Sequence, residues 1–388
     1  MEDLSFILNE LGEDRAHYYN AVSPPIMQTS NFRVNTVEGL KKLFADEYSG
    51  YLYSRGLNPT VDILRKKLAA LDEAEDCLVF NSGAAAIFAA VLANTRQGDH
   101  IISVKNPYTW VKRMFDDIFS RFGVETTYIE ATEMEQFERA RRANSRFIYL
   151  ESPNSWNFAL QDIEKVSEFA KKYGLITLMD NTFCSPLYQK PIAMGIDMAM
   201  QTATKYIGGH SDTLGGILTG SRQMMKKIFD SEYLAVGSGI QPFNAWLLIR
   251  GLRTLESRLE RITATTQQVL RYLKNHPRVE AVLFPLDESF PQYALARKQM
   301  KNAGGLISFY VKAGSRQEIV RFCENLKHIM MAVSWGGHES LILPRCASIK
   351  DEDFDPQNLE DRMLRLYVGL ESAEYITGDL EQSFLLSF

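Results

Sequence analysis

Short apolar runs alternate with helical segments between residues 60 and 220, and this alternation leaves few folds open to the chain. Four of the apolar runs are CLVF, HIISV, RFIYLE and LITLMD, and a helical pattern or a tight turn follows each one. Continuous apolar runs of this length are typical of parallel strands buried on both faces. The pattern therefore predicts an α/β fold with a mostly parallel sheet, helices on both faces, and ligands at the carboxyl ends of the strands.

The character of the sequence changes on either side of this region. Residues 1–60 contain apolar stretches broken by turn residues, as in SPPIMQTSNF, and predict an arm that lies on another surface or subunit. A long helical pattern runs from Trp246 to His276, and strand-like and helical segments mix after it. We therefore expect an arm over 1–60, a large α/β domain over 61–250 and a smaller α+β domain over 251–388.

Composition limits the class of protein. The chain has 388 residues, of which 45% are hydrophobic, so it can bury a sizeable core. Its formal net charge of −5 and the lack of a basic stripe argue against nucleic acid or an anionic membrane as partner. The four cysteines show no CxxC spacing, so we expect neither a disulfide framework nor a zinc site. The acidic start MEDLSFILNELGEDR resembles no signal peptide, and a cytoplasmic protein is expected.

One lysine, Lys205, lies among small residues in the stretch QTATKYIGGHSDTLGG. A lysine amine that loses its proton can attack an aldehyde and form a covalent bond. Thr202 and Thr204 lie on one face of a strand end, where their hydroxyls could bind an anion, and the glycines permit close approach of the backbone. A solvated surface lysine is the ordinary alternative. The flanking residues favour a chemical role for Lys205.

Two further segments offer partners for an anion and for a cation. Ser82 can cap the helix that follows CLVF, which leaves the N–H groups of Gly83 and Ala84 for an anion such as phosphate. Tight packing at a strand-to-helix turn is the alternative. Asp180 ends the strand LITLMD and could keep a ring nitrogen protonated. An Asx-turn, which is common at strand ends, is the alternative there.

These features share one explanation. A reactive lysine, a helix terminus for a phosphate and an acid for a ring nitrogen are the parts that a pyridoxal phosphate site needs. The alternative from another class is a phosphate-binding module without chemistry. Such a module would need neither Lys205 beside the two threonines nor Asp180 on a neighbouring strand.

With these residues placed, the chain resembles the Cys/Met-metabolism family of pyridoxal-phosphate enzymes, which includes cystathionine γ-synthase, cystathionine β- and γ-lyases and methionine γ-lyase. Six segments in family order support the resemblance: YSRGLNPT, MDNTF, ATKYIGGHSD, RGLRTLESRL, SWGGHESLI and LRLYVGLE. It implies the aspartate aminotransferase-like fold of type I and pyridoxal 5'-phosphate as cofactor. It further implies a small sulfur amino acid as substrate, and a homo-oligomer, a dimer at least and by expectation a tetramer, with active sites shared between subunits.

The resemblance assigns roles on the cofactor side. Lys205 matches the lysine that bonds to the cofactor and moves protons, and Asp180 matches the acid that pairs with the pyridine nitrogen. Tyr108 matches a tyrosine that stacks on the ring and acts in proton transfer. The other cofactor positions are Gly83, Ala84, Thr202 and Thr204 at the phosphate, Tyr53 and Arg55 reaching the phosphate of the neighbouring subunit, and Ser155 near the phenolic oxygen.

On the substrate side, Arg365 matches the arginine that binds the α-carboxylate, a task suited to a bidentate guanidinium. Ser334 and Trp335 match positions beside that carboxylate. Tyr53 and Tyr233 also match substrate-side positions, the latter in the β-lyase subgroup. Without the resemblance, Trp335 could be a core residue and Arg365 a member of a surface ion pair.

The chain departs from the family pattern in two places near the cofactor. Thr109 and Trp110 follow the stacking tyrosine, where the family usually has two glycines, and this reshapes the substrate side. Many members have an asparagine at the position of Ser155, whereas here Asn154 lies one residue earlier. Either residue could therefore make the contact to the cofactor.

Two further departures bear on the reaction. Val333 and Leu52 stand where γ-lyases often have glutamates, so recognition of a distal ammonium by those acids is not available. The segments SWGGHESLIL and ESPNS look most like bacterial cystathionine β-lyases. We therefore expect a carbon–sulfur lyase of transsulfuration that acts by α,β-elimination. The alternatives are cystathionine γ-synthase, methionine γ-lyase or another γ-elimination or replacement enzyme, an aminotransferase of related fold, and a catalytically silent relative.

Overall fold

The computed structural model describes residues 3–388, which divide into two compact units. The first unit comprises residues 3–153, 160–208 and 212–253, and the second comprises residues 154–159, 209–211 and 254–388. Two short segments, 154–159 and 209–211, thus belong with the C-terminal part of the chain although they interrupt the first unit in sequence.

The secondary structure follows the predicted alternation. The α-helices of the first unit are α1 (Leu4–Asn9), α2 (Val37–Ala45), α3 (Pro59–Leu71), α4 (Gly83–Asn94), α5 (Thr109–Arg113), α6 (Met134–Ala140), α7 (Ile163–Tyr173), α8 (Ser185–Tyr188), α9 (Arg222–Ile228), α10 (Leu234–Val236) and α11 (Pro242–Leu252). Its strands are β1 (Asp76–Phe80), β2 (His100–Val104), β3 (Glu125–Ile129), β4 (Ser145–Glu151), β5 (Ile176–Asp180), β6 (Met198–Thr202) and β7 (Gly216–Gly220). The second unit has α12 (Leu255–Asn275), α13 (Tyr293–Gln299), α14 (Arg316–Asn325) and α15 (Ala373–Ser387), with β8 (Val279–Leu283), β9 (Leu306–Val311), β10 (Met330–Met331), β11 (Leu341–Pro344) and β12 (Met363–Tyr367). Short 3-10 turns lie at Arg15–Tyr18, Glu47–Ser49, Phe119–Phe122, Arg345–Ser348, Asp351–Asp353 and Leu359–Arg362, and π-helical turns at Met114–Ile118 and Phe229–Tyr233.

The first unit is built on a seven-stranded sheet in the order β1-β7-β6-β5-β4-β2-β3. Strand β7 is antiparallel to both of its neighbours, and the other four pairs are parallel. The predicted mostly parallel sheet is therefore confirmed. Because parallel strands end at the same edge, Glu151 at the end of β4 lies opposite Asp180 at the end of β5.

Helix α4 shows how local sequence serves this sheet. All five residues of β1 are buried, and α4 packs on the neighbouring strands through small and aliphatic side chains, among them Ala86, Ala90 and Val91. Alanine favours a helix and adds little bulk, so the helix axis can come close to the sheet. The start of α4 is thereby brought next to the strand ends.

The second unit is built on a five-stranded sheet in the order β10-β11-β12-β9-β8. Only the short β10–β11 pair is parallel. Arg365 in the middle strand β12 lies opposite Leu343 of β11 on one side and Ser308 of β9 on the other. Residues directly opposite one another project from the same face of a sheet, so these three side chains share a face.

The single long helix predicted from Trp246 to His276 is wrong in one respect, because the structure breaks it into α11 and α12 at residues 253–254. Gly251, in the last turn of α11, lies so close to the backbone carbonyl of Ile207 that a Cβ atom would overlap it. The break falls at the boundary between the two units.

A buried acid, Glu13, attaches the arm to the rest of the first unit. The Glu13 carboxylate is inaccessible to solvent and lies 3.2 Å from the Lys67 amine and 3.0 Å from the Arg253 guanidinium. Removing Glu13 would leave the fully buried Lys67 amine without its counter-charge. Whether the arm also covers a neighbouring subunit stays a prediction.

Within residues 3–388, no helix has both the length and the apolar composition that crossing a bilayer requires.

Candidate active site

Asp180 lies at the carboxyl edge of the large sheet, as predicted. It is buried, and its Oδ1 accepts a hydrogen bond of 2.8 Å from the backbone N–H of Thr182. Burial raises the pKa of Asp180 to about 6, while the Thr182 hydrogen bonds and the positive charge of Lys205 act in the opposite direction. A cation beside this carboxyl would therefore favour its ionised form.

Thr182 connects Asp180 to the neighbouring strand. Its hydroxyl hydrogen-bonds the Asp180 side chain and accepts a hydrogen bond of 2.8 Å from the backbone N–H of Thr202. The acid and the end of β6 are thus fixed relative to each other. Sequence reasoning missed Thr182, although a hydroxyl residue two positions after Asp180 in MDNTF was the available signal.

The segment that was predicted to bind an anion lies at the start of α4. The Ser82 hydroxyl caps the helix by accepting a hydrogen bond of 3.2 Å from Ala85 N–H, which confirms the predicted cap. The N–H groups of the first helical turn have no acceptor within the helix, and the helix dipole favours an anion there.

Two glycines make room for this site. A Cβ atom on Gly83 would overlap the Thr202 hydroxyl, so that hydroxyl lies directly against the first turn of α4. A Cβ atom on Gly216 would overlap the backbone carbonyl of Ser82. The strand end and the helix start can approach this closely only because both positions lack a side chain. A hydroxyl beside free helical N–H groups is a donor set that fits a phosphate.

Lys205 follows β6 in a compact turn. Its N–H donates to the Thr202 carbonyl at 3.1 Å, and the N–H of Ala203 donates to the Gly215 carbonyl at 2.8 Å. The Thr204 hydroxyl accepts a hydrogen bond of 3.3 Å from Gly215 N–H and keeps its own proton for donation. The Lys205 side chain is half-buried. Lys205 therefore lies close enough to Asp180 for its positive charge to lower the pKa of that carboxyl.

Tyr108 stands at the start of α5 with 48% of its surface exposed. Its backbone N–H donates to Glu151 Oε2 at 2.7 Å. Burial raises the pKa of Tyr108, and the negative charges of Asp180 and Glu151 raise it further. The tyrosine thus lies within electrostatic reach of the buried acid. Sequence reasoning missed Glu151 as the residue that holds Tyr108. Trp110, which departs from the family pattern, is exposed one residue into α5.

Tyr53 and Arg55 lie on the surface of the first unit. The Arg55 guanidinium is 5.5 Å from the centre of the Tyr53 ring. Both residues are exposed and line an open cavity of about 320 Å³ together with other residues of the arm and with residues of the loop 237–241.

In the second unit, Arg365 is 7% exposed and donates from Nη1 to the Ser155 carbonyl at 3.1 Å. Its guanidinium also lies over the Trp156 ring, 4.7 Å from the ring centre. The side-chain oxygen of Asn154 accepts a hydrogen bond of 3.0 Å from the backbone N–H of Trp156. Sequence reasoning did not find Trp156. No spacing rule indicates it, because the contact to Arg365 spans more than 200 residues of sequence.

The segment around Ser334 has an unusual backbone. Ser334 has a φ of +81°, a region that costs a residue with a side chain about 1–3 kcal/mol and that concentrates at functional sites. Trp335 next to it is buried, whereas Val333 is 76% exposed. The exposed valine offers no charge beside Ser334.

Tyr233 is a correction. It was expected to contact substrate, but its side chain is 3% exposed and its hydroxyl donates to the Val79 carbonyl at 2.9 Å. Its ring stacks on Phe229 and meets Phe80 edge-on. A phenol held in the core in this way stabilises the first unit and does not face a ligand.

The pattern of the family described as Cys/Met metabolism PLP-dependent enzyme matches residues 7–385 of the chain. The chain belongs to this family. It is therefore a pyridoxal-phosphate-dependent enzyme, a carbon–sulfur lyase or a transferase of the same family, and pyridoxal 5'-phosphate is its cofactor. The fold of type I expected from the resemblance is confirmed.

Individual members of the Cys/Met-metabolism family are similar over nearly the whole chain. An L-methionine γ-lyase of Treponema denticola is 36% identical, with 94% of this chain and 92% of the relative covered. A cystathionine β-lyase of Bacillus subtilis is 33% identical, with 94% and 91% covered. The crystal structure of a cystathionine γ-lyase from Lactobacillus plantarum in complex with L-serine superposes with a TM-score of 0.90 at 30% identity, covering 100% of this chain and 99% of that one.

Proposed function

We propose that this Cys/Met-metabolism enzyme is a cystathionine β-lyase, which cleaves the bond between sulfur and the β-carbon by α,β-elimination. The observation that supports this choice is the exposed, uncharged Val333 beside the strained Ser334. A γ-lyase that recognises a distal ammonium through a glutamate at that position could not do so here. The second candidate is a methionine γ-lyase, because methionine has no distal ammonium and similar relatives have that name.

The cofactor would be held by residues of the first unit. Lys205 would bond to its aldehyde carbon, and Asp180 would pair with the ring nitrogen. The phosphate would bind at the start of α4 to the N–H groups of Gly83 and Ala84 and to the hydroxyls of Thr202 and Thr204. The support for this arrangement is the cradle that Thr202 and the start of α4 form, together with the action of Lys205 on the Asp180 carboxyl.

When bound, pyridoxal phosphate withdraws electrons from the substrate α-carbon and so makes its proton removable. Lys205 would accept this α-proton on Nζ, since an amine released from a covalent bond is a suitable base. Asp180, ionised beside a cationic ring nitrogen, would keep that nitrogen protonated. Tyr108, with its pKa raised by burial and further by the charges of Asp180 and Glu151, would keep its hydroxyl proton at neutral pH and act as a donor.

Arg365 would bind the substrate α-carboxylate. Its guanidinium offers a planar set of donors that matches a carboxylate, and the Ser155 carbonyl fixes the orientation of that plane. Ser334 and Trp335 would lie beside the same carboxylate. Ser155 or Asn154 would contact the cofactor oxygen.

Product analysis with L-cystathionine tests the reaction. A β-lyase releases homocysteine, pyruvate and ammonia, whereas a γ-lyase releases cysteine, 2-oxobutyrate and ammonia. We expect pyruvate and homocysteine in equal amounts, and little methanethiol from L-methionine. Cysteine with 2-oxobutyrate, or rapid release of methanethiol, would identify a γ-lyase instead. The variant Lys205→Ala serves as control and should lose both turnover and the near-visible absorbance of lysine-bound cofactor.

Tyr53 and Arg55 would complete the site of a second copy of the chain, in a dimer at least. Their exposure and the open cavity beside them support this proposal. Mixing two inactive variants, Lys205→Ala and Arg55→Ala, after dissociation and reassembly tests it. If the sites are shared, a mixed dimer holds one site with neither substitution. Each mixed dimer should then have about half of the activity of a wild-type dimer. Activity that never exceeds that of the separate variants would show that each chain forms its own site.

A further inference from the structure

The side chain of Arg365 is held on one side by an indole. We propose that Trp156 is a positioning residue for substrate carboxylate binding, because it fixes the plane of the Arg365 guanidinium. The inference rests on the proposed role of Arg365, and it concerns only residues of the second unit.

Two contacts from one short segment determine where the guanidinium can lie. The Ser155 carbonyl accepts from Nη1 at 3.1 Å, and the ring of the next residue lies 4.7 Å from Cζ. A hydrogen bond in the guanidinium plane and an aromatic ring against it constrain different motions. Together they leave an arginine with little rotational freedom, which favours bidentate contact with a carboxylate.

Trp156 is itself held firmly enough to act as a support. The backbone N–H of Trp156 donates to Asn154 Oδ1 at 3.0 Å, and the backbone carbonyl of Trp156 accepts from the Ser308 hydroxyl at 2.6 Å. Ser308 lies opposite Arg365 in the adjacent strand β9. The segment that bears the indole is therefore tied to the same sheet face as the arginine.

A second cation also lies on this indole. The Arg345 guanidinium is 5.2 Å from the centre of the Trp156 ring. Arg345 is exposed, whereas Arg365 is buried. An aromatic ring attracts a cation most strongly where water is excluded, so the contact with Arg365 is the stronger of the two. Arg345 helps to keep the ring in place from the outside.

The experiment compares two small amines on the holoenzyme. Glycine has the carboxylate that Arg365 would bind, and ethylamine lacks it. Dissociation constants for both are measured by calorimetric titration of the wild type and of the variants Trp156→Leu, Trp156→Phe and Arg365→Ala. Leucine retains apolar volume without an aromatic face, and phenylalanine retains an aromatic face.

Trp156→Leu should raise the dissociation constant of glycine about 10-fold, the effect of losing one desolvated cation–π contact. It should change that of ethylamine less than about 2-fold, and Trp156→Phe should recover most of the glycine affinity. Equal weakening of both amines, or glycine binding unchanged in Trp156→Leu while Arg365→Ala weakens it, would overturn the inference. Unchanged glycine binding in Arg365→Ala would instead remove the proposed role of Arg365, and the role of Trp156 with it.

Discussion

The hydroxyl oxygen of Thr202 occupies the space in which a Cβ atom on Gly83 would lie. These residues are more than 100 positions apart in sequence, yet their contact places a hydroxyl against the free N–H groups at the start of α4. The absence of a side chain at residue 83 is therefore what allows a strand end and a helix start to come together at the proposed phosphate site.

Gly83→Ala should damage this site while leaving the helix intact. Alanine is the better helix former, but its methyl group would displace the Thr202 hydroxyl. Losing one hydrogen bond to a charged group costs about 1.5–3 kcal/mol, so cofactor affinity should fall at least about 10-fold. Fluorescence titration of the apoprotein with pyridoxal phosphate measures this.

The matched control for Gly83→Ala is Gly378→Ala in α15, where a Cβ atom would meet nothing within 4 Å. It should bind the cofactor like the wild type and be more stable by up to about 1 kcal/mol. Wild-type cofactor affinity in Gly83→Ala would contradict the assigned phosphate site.

Thr182→Val should weaken both the fold and the cofactor site. The substitution keeps the shape of the side chain but removes the acceptor for the Thr202 N–H and the donor to Asp180. A buried N–H without a partner costs about 1–3 kcal/mol, and urea denaturation of the apoprotein should show a loss of that size.

Thr182→Ser provides the control, since it keeps the hydroxyl and should lose less than half as much stability. If valine and serine have equal effects, the methyl group matters and the hydroxyl link between β5 and β6 does not.

Asp180→Asn should have opposite effects on the apoprotein and on the holoenzyme. Burial raises the pKa of Asp180 to about 6, so the folded chain keeps a proton that the unfolded chain has released. The stability contributed by this group is present below about pH 4 and is lost as the pH rises through 6. Relative to the wild type, the apoprotein of Asp180→Asn should therefore gain on the order of 1–3 kcal/mol between about pH 4 and pH 8.

Urea denaturation at the two pH values and a fixed protein concentration measures that gain. The same variant should lose most activity once the cofactor is bound, because asparagine cannot keep a ring nitrogen protonated. A stability difference that is the same at both pH values would mean that Asp180 does not titrate in this range.

Tyr233→Phe should affect stability and leave substrate binding alone. The hydroxyl donates to the Val79 carbonyl inside the core, so its removal should cost about 1 kcal/mol of unfolding free energy. Steady-state kinetics with L-cystathionine should give a KM within about 2-fold of the wild type, since no binding contact is lost. A KM that rises many-fold without loss of stability would return Tyr233 to the substrate site.

Some of this protein follows from its sequence alone. The run LITLMD predicted both a buried strand and an acid at its carboxyl edge, because hydrophobic continuity and strand ends are local properties. Ser82 was identified as a helix cap for the same reason. The order of family segments then gave the family and its cofactor. These inferences depend on residues that are neighbours in the chain.

The tertiary structure decided what depends on residues far apart. Tyr233 was misassigned because nothing local tells a core phenol from a ligand-facing one, and its partner Val79 lies 154 residues away. The hydrogen bond between Thr182 and Thr202 and the contact between Trp156 and Arg365 form only when separate strands and segments are packed together. The break between α11 and α12 likewise appears only in the folded chain, because helical periodicity does not encode it. Sequence patterns determine which elements form, and packing between elements determines which side chains meet.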